Sequence, residues 1–333
     1  MKISLSKKII AVFGSIIISI IITEVLLRIF DIKPWKNIII NEPEIFKPDS
    51  ALGWRAKKGS YIIPPLHQLG KEFYMSFDKN SQRKTGESNS KIEGEILVIG
   101  GSFTQGWGVN DEDTFSSKLQ KKYTNLKVYN FGQGGYGSTQ SLLLLEEQIP
   151  KMKSPKLVIY GFIQHHEFRN VARGEWLRVL AKYSKRGHVS TPYGYLGKNN
   201  ELIIHPPISY INLPLREMSS IVTLFEKVYM KFKTKKRKKQ QKTVTKKIIL
   251  KMKEISKKFN SDFMLVILDW NDRFSIDQYE SFFKKNEIKF VNCSVSLIDQ
   301  MVLPGDYHPS EKAHTYYDEC LTNYINKKKL VPF

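Results

Sequence analysis

The chain has 333 residues, enough for one large domain with a substantial core or for two modest ones. Its two cysteines are too few for a disulfide scaffold; Cys293 and Cys320 stand either as a pair in an oxidising compartment or as two buried thiols. The formal charge of +21 suits an anionic partner, but no helix-turn-helix, zinc-finger or aromatic RNA-binding signature accompanies it, so the excess lysine reads foremost as solvated surface and no nucleic-acid partner is expected.

The first element is IIAVFGSIIISIIITEVLL, Ile9 to Leu27, preceded by Lys2, Lys7 and Lys8. About 20 such residues cross a hydrocarbon core at 1.5 Å each. Glu24 and Arg28 fall near its far end, where long side chains reach the interface. A cleaved signal peptide would need a small-x-small site, and the bulky Val25-Leu26-Leu27-Arg28 offers none. The segment 1–30 is therefore expected as a retained signal anchor, a single-pass membrane helix. The positive-inside rule puts its N-terminus in the cytoplasm and the rest of the chain in the periplasm or another extracytoplasmic space.

Residues 31–93 carry Pro34, Pro43, Pro48, Pro64 and Pro65, which break any long helix, and DSALGWR and SYIIPP predict short extended pieces packed on a larger body. From Gly94 the chain alternates strand-like and helix-like segments. Ile96–Ile99, Val128–Phe131, Lys156–Ile163, Phe263–Leu268 and Lys289–Asn292 read as strands. Helices are expected after a cap at Asp113 or Thr114, over Thr139–Gln148, and over Glu311–Lys327. The rhythm is lost between Phe168 and Thr245, where prolines, aromatics and a basic run from Lys231 to Lys239 suggest a cap inserted at about 168–245 within a domain of 94–330. That run reads as a solvated helix or loop, or as a segment resting on anionic headgroups near the anchor. Strand–helix alternation predicts an α/β fold, a three-layer α/β/α sandwich around a mostly parallel sheet.

Ligands of such sheets bind beyond the C-terminal ends of the strands. There the first strand presents Ser102 after two glycines, a nucleophile or an ordinary turn residue. The second leads into NFGQGGYGSTQ, whose backbone N–H groups can face a developing negative charge. The third delivers Gln164, His165 and His166, and PGDYHPS before the last helix carries Asp306 and His308. A serine hydroxyl needs a base, and an imidazole needs a carboxylate to fix its tautomer. Ser102, His308 and Asp306 supply those three types; Asp269 and Asp272 are alternative acids. His165 and His166 suggest a metal pair, but neighbours on a strand face opposite ways and no third ligand stands out, so neither metal nor cofactor is expected. His314 reads as helix surface.

Together these blocks resemble the SGNH (GDSL-type) hydrolase superfamily. GGSFTQGWG resembles its first block, NFGQGG its second, with the glycine at Gly135, and PGDYHPSEKAH its last, with Asp306 and His308 at the acid and base positions. The resemblance covers roughly Gly94–Lys327, and the anchor with LGWR resembles membrane-tethered bacterial members. It implies a flavodoxin-like sandwich, a Ser102–His308–Asp306 triad, and an oxyanion hole from Ser102, Gly135 and Gln164. Two departures stand out. The family places Asp three residues before His, where this chain has Gly305. The third block, usually Gly-x-Asn-Asp, is here GFIQHHEFRN, with His165 or His166 as alternatives to Gln164. The expected function is a membrane-anchored serine esterase. It would remove or transfer acetyl or other acyl groups on an envelope or exported polysaccharide, an acylated carbohydrate being the expected partner. The same triad serves an O-acyltransferase, and a non-catalytic glycan-binding protein is the alternative of another class.

Overall fold

The structure, a computed structural model, describes residues 4–38, 43–65, 67–88, 90–183, 190–270 and 273–331. The anchor residue Lys2 and the candidate acid Asp272 lie outside them. Helix α1 (Leu5–Ile29) buries none of its residues and is long and apolar enough to cross a membrane. Its mid-helix hydroxyls are satisfied within the helix, Ser15 donating to Val12 O at 2.9 Å, Ser19 to Ser15 O at 2.8 Å and Thr23 to Ser19 O at 2.8 Å. That internal pairing is what an apolar solvent demands of polar atoms.

Two hairpins follow. β1 (Phe46–Asp49) pairs antiparallel with β2 (Gly53–Ala56), and β3 (Gly59–Ile63) with β4 (Phe73–Phe77). Trp54, Ile63, Met75 and Phe77 are buried, so these short strands belong to the main core.

The core strands are β5 (Gly94–Gly100), β6 (Leu126–Asn130), β7 (Pro155–Ile163), β10 (Asp262–Asp269) and β11 (Lys289–Asn292). They lie in the order β11-β10-β7-β5-β6, all parallel. This is the flavodoxin-like order, with its switch point between β5 and β7. Side chains alternate between the two layers. On one face Ile96, Val98, Ile159 and Val266 meet Phe115 and Leu119 of α3 (Phe115–Lys122) and Tyr317, Leu321 and Ile325 of α10 (Glu311–Lys328). On the other, Leu97, Ile99, Val158 and Ile267 meet α4 (Ser138–Gln148), α8 (Lys235–Lys258) and α9 (Arg273–Lys285). Thr114 caps α3 by accepting from Ser117 N at 3.2 Å, and Ser310 caps α10 by accepting from Ala313 N. The predicted α/β/α sandwich and its five strands are found.

After β7 come α5 (His166–Asn170) and α6 (Gly174–Lys182), then a hairpin of β8 (Ser190–Leu196) and β9 (Leu202–Ser209), and then α7 (Ser220–Lys233). Trp35, Leu177, Tyr210 and Met230 form a small core of their own there. The basic run is helical, divided between the end of α7 and the start of α8.

Two sequence expectations fail. His314 is fully buried, not on the helix surface: its ring stacks on Phe115 at 5.9 Å and its Nδ1 accepts from Phe115 N at 3.3 Å. Burial pushes its imidazole down to about 3. His165 and His166 are not strand neighbours either, because β7 ends at Ile163 and the pair forms a turn entering α5. Cys293, just past β11, is disulfide-bonded to Cys320 on α10.

Candidate active site

β5 is buried along its whole length, which is why it reads as an uninterrupted apolar run. It stops at Gly100 because Thr104 folds back onto it. A Cβ on Gly100 would come 2.1 Å from Thr104 Oγ1, and one on Gly161 of the neighbouring β7 would come 2.0 Å from the same atom. Only hydrogen fits at both places, so the chain turns sharply into α2 (Ser102–Gln105), with Ser102 at its first position. The Ser102 backbone N–H is thus in a first helical turn, whose donors have no intrahelical acceptor.

The glycine-rich loop after β6 packs directly on this turn. A Cβ on Gly132 would meet Gln105 N at 2.4 Å. Asn130 at the end of β6 ties the two loops together, its Nδ2 donating to Thr104 O at 3.0 Å and its Oδ1 accepting from Gly132 N at 2.9 Å. Gly135 takes a left-handed backbone, φ +81°, wedged against Trp54 and Trp176.

The base and acid arrive on a two-strand hairpin, β12 (Val302–Leu303) and β13 (Asp306–Pro309), turning at Gly305 with φ +69°. Residues two apart on a strand face the same way. Asp306 and His308 therefore point together into the site, while Tyr307 between them is 87% exposed. His308 Nε2 lies 2.8 Å from Ser102 Oγ, and His308 Nδ1 lies 2.5 Å from Asp306 Oδ1. The other carboxylate oxygen accepts from Trp107 Nε1 at 3.2 Å, and the imidazole stands between Phe103 and Trp107, 5.5 and 6.5 Å away between ring centres. Ser102 is 5% exposed and the His308 and Asp306 side chains about a quarter. The spacing that departs from the usual Asp-x-x-His is thus a strand solution to the same alignment. Asp269 takes no part in this chain: its carboxyl is buried, and that burial pushes its pKa up.

The third strand end brings Gln164 to the rim, half-buried, with its backbone N–H donating to Asp269 O at 3.3 Å. Desolvation by its surroundings, then the Arg169 guanidinium and the His308 ring, push His165 down to about 4. His166 is fully buried; its Nδ1 meets Tyr160 OH at 2.7 Å, and a Cβ on Gly101 would lie 2.8 Å from its Nε2. Burial holds this ring well below the ordinary histidine range. Arg169 Nη1 donates to Tyr136 O at 3.0 Å while its guanidinium stacks over Trp176 at 4.7 Å. Burial pushes it down to about 10.

Several residues that carried no sequence signal secure the site. Arg83, fully buried, donates to Asp111 Oδ1 at 2.9 Å, Gln105 O at 2.8 Å and Val109 O at 2.5 Å, and also to Gly106 O, all around the turn that follows Ser102. Trp54 Nε1 donates to Gly134 O at 3.1 Å, and Tyr136 OH donates to Trp54 O. A lone arginine and a lone tryptophan in an irregular stretch show no periodicity; LGWR pointed to packing and to a family likeness, not to a role at the site. Among the described residues no cluster of three or more His, Cys, Asp or Glu is arranged to hold a metal ion.

No protein-family model and no curated protein matches the sequence. Solved structures do resemble the fold. A member of the lipolytic G-D-S-L family from Veillonella parvula DSM 2008 is 12% identical, covering 70% of this chain and 98% of its own, with a TM-score of 0.43. The psychrotrophic esterase EstA from Pseudoalteromonas sp., a structure inhibited by monoethylphosphonate, is 13% identical over 71% and 99% of the two chains, TM-score 0.40. AlinE4, an SGNH-hydrolase family esterase, is 13% identical over 74% and 99%, TM-score 0.36. Identities this low carry no activity across, and the chemistry rests on this chain's own residues.

Proposed function

We propose that the chain is a serine esterase acting on an ester of an envelope or exported carbohydrate from a membrane tether. The observation that carries this reading is the continuous hydrogen-bonded line from Ser102 through His308 to Asp306. Ser102 Oγ attacks the ester carbonyl carbon and gives its proton to His308 Nε2. Asp306 holds the tautomer with the proton on Nδ1 and stabilises the imidazolium that forms. The backbone N–H groups of Ser102 and Gly135, with Gln164 as third donor, hold the tetrahedral oxyanion. A donor of that kind typically accounts for about 3–4 kcal/mol of barrier lowering. The intermediate collapses, the alcohol leaves with the proton from His308, and water activated by the same imidazole releases the acid.

The membrane part of the reading is supported by the length and apolar composition of α1, none of whose residues is buried. Lys7 and Lys8 at its start favour a cytoplasmic N-terminus. The disulfide fits the extracytoplasmic side, where such bonds persist. A cleft tethered there meets esters on envelope polymers, which is why an acylated carbohydrate is the substrate class proposed.

Ser102→Ala should abolish turnover of a small acetyl ester and labelling by an active-serine phosphonate, while wild type is labelled on Ser102. Unchanged turnover in the variant defeats the mechanism, and an unlabelled wild type supports a glycan-binding protein on the same fold. Adding a sugar acceptor to the labelled acyl-enzyme separates the two fates of the acyl group. Transfer to the sugar in preference to water identifies an O-acyltransferase using the same triad.

A further inference from the structure

We propose that α7 lies in the bilayer interface, its outer face sunk to the boundary between headgroups and acyl chains of an anionic membrane. The inference rests on the reading that α1 spans that membrane. Three observations carry it.

The first is a clasp between the two helices. Glu24, in the penultimate turn of α1, accepts at Oε1 from Ser220 N at 2.8 Å, and at Oε2 from Ser219 Oγ at 3.0 Å and Ile221 N at 3.2 Å. Arg28 donates to Met218 O at 2.7 Å and pairs with Glu24 at 2.8 Å. The membrane helix thereby supplies the carboxylate that satisfies the first donors of α7. Glu24 stands only five residues, about 8 Å at 1.5 Å each, from the end of α1. That offset puts the start of α7 at the depth where interfacial helices sit, about 5–10 Å into the headgroup and acyl boundary.

The second is the outer face itself. Phe225, Val228, Tyr229 and Phe232 recur at i, i+3, i+4 and i+7 and are 57, 43, 39 and 69% exposed. Leu215 and Met218, just before the helix, extend the patch. The opposite face is already used: Thr223, Glu226 and Met230 are buried, and Glu226 accepts from Leu213 N at 2.7 Å. The apolar stripe is therefore the solvent-facing side of α7, left exposed by the described residues.

The third is charge. At helical spacing the exposed Lys231 and Lys233 border that stripe on its two sides, the exposed Lys235 and Lys236 follow at the start of α8, and the only acid in α7, Glu226, is buried. Apolar and aromatic residues on one face with lysines at its margins fit an anionic lipid surface.

The test uses the full chain reconstituted in mixed phosphatidylglycerol and phosphatidylcholine vesicles. Because the two native cysteines are bonded to each other, Phe225→Cys, Phe232→Cys and, in α1, Ile17→Cys each take one nitroxide label. Collisional relaxation by oxygen is compared with that by a water-soluble nickel chelate, and each variant is first checked for ester turnover. The expected result is an oxygen-to-nickel ratio at positions 225 and 232 several-fold above that of free label in water and below that at position 17. A water-like ratio at 225 and 232 with a lipid-like one at 17 overturns the proposal and leaves the anchor standing. A water-like ratio at 17 overturns both. Dipolar broadening between labels at 225, showing a second copy on this face, also overturns it.

Discussion

Two residues on a strand face one way and three do not. Asp306 and His308 reach Ser102 because β13 holds them at i and i+2. Inserting one glycine after Tyr307 restores the commoner spacing yet turns the carboxylate to the opposite face. The expected outcome is a loss of kcat of about 10³–10⁴-fold, similar to that for Asp306→Asn, with KM little changed. Steady-state kinetics on the two variants checks it; a gain from the insertion would show that the acid is not positioned by strand alternation. His165 gives a pH prediction. Its pKa is depressed to about 4, so the ring is neutral across the range from 5 to 8 and contributes no titration there. His165→Gln should therefore leave the midpoint of the acid limb of the kcat/KM profile where it is in wild type. The triad types were legible in the sequence because nucleophile, base and acid each close a recognisable block. The buried state of His314 is legible in principle, since 314, 317, 321 and 325 fall on one helical face.

At the level of elements, the five parallel strands were legible because each is covered on both faces and so must be apolar throughout. The turns that aim the site were not, because their fit depends on partners far away in sequence. Arg83 is the clearest case. Burial pushes its guanidinium pKa down, while the carboxylates led by Asp111 oppose this, and the charge stays paired across the loop behind the nucleophile. Arg83→Met would leave Asp111 and several carbonyls without their donor. The expected cost is about 3–5 kcal/mol, measured by denaturant unfolding, with activity lost at temperatures where wild type is stable. The bond between Cys293 and Cys320 closes a loop with a sequence separation of 27. Cys293→Ser should lower stability by about 3–4 kcal/mol, and reductant should lower wild type to the same level.

For the whole molecule, acid is the expected weakness. His166 and His314 are buried neutral, with folded pKa values below the ordinary histidine value of 6.5. The unfolded chain therefore binds more protons than the folded one once pH falls below about 6.5. Stability should fall from there toward the depressed folded values, with a slope of up to about 1.4 kcal/mol per pH unit for each histidine. His314→Gln should flatten that slope in a melting-temperature series between pH 4 and 7. The contacts of Trp54 and Arg83 also redefine where the folded body begins. By its strands, the sandwich starts at Gly94, and a fragment cut there keeps every triad atom. It would lose the donor to Gly134 and the cation behind the Ser102 turn. The stretch between α1 and the sheet is thus a moulded part of the body that holds the Ser102 site, not slack rope. Any release of a soluble form that keeps these contacts, and Trp35 in its small core, has to cut between the end of α1 at Ile29 and Trp35.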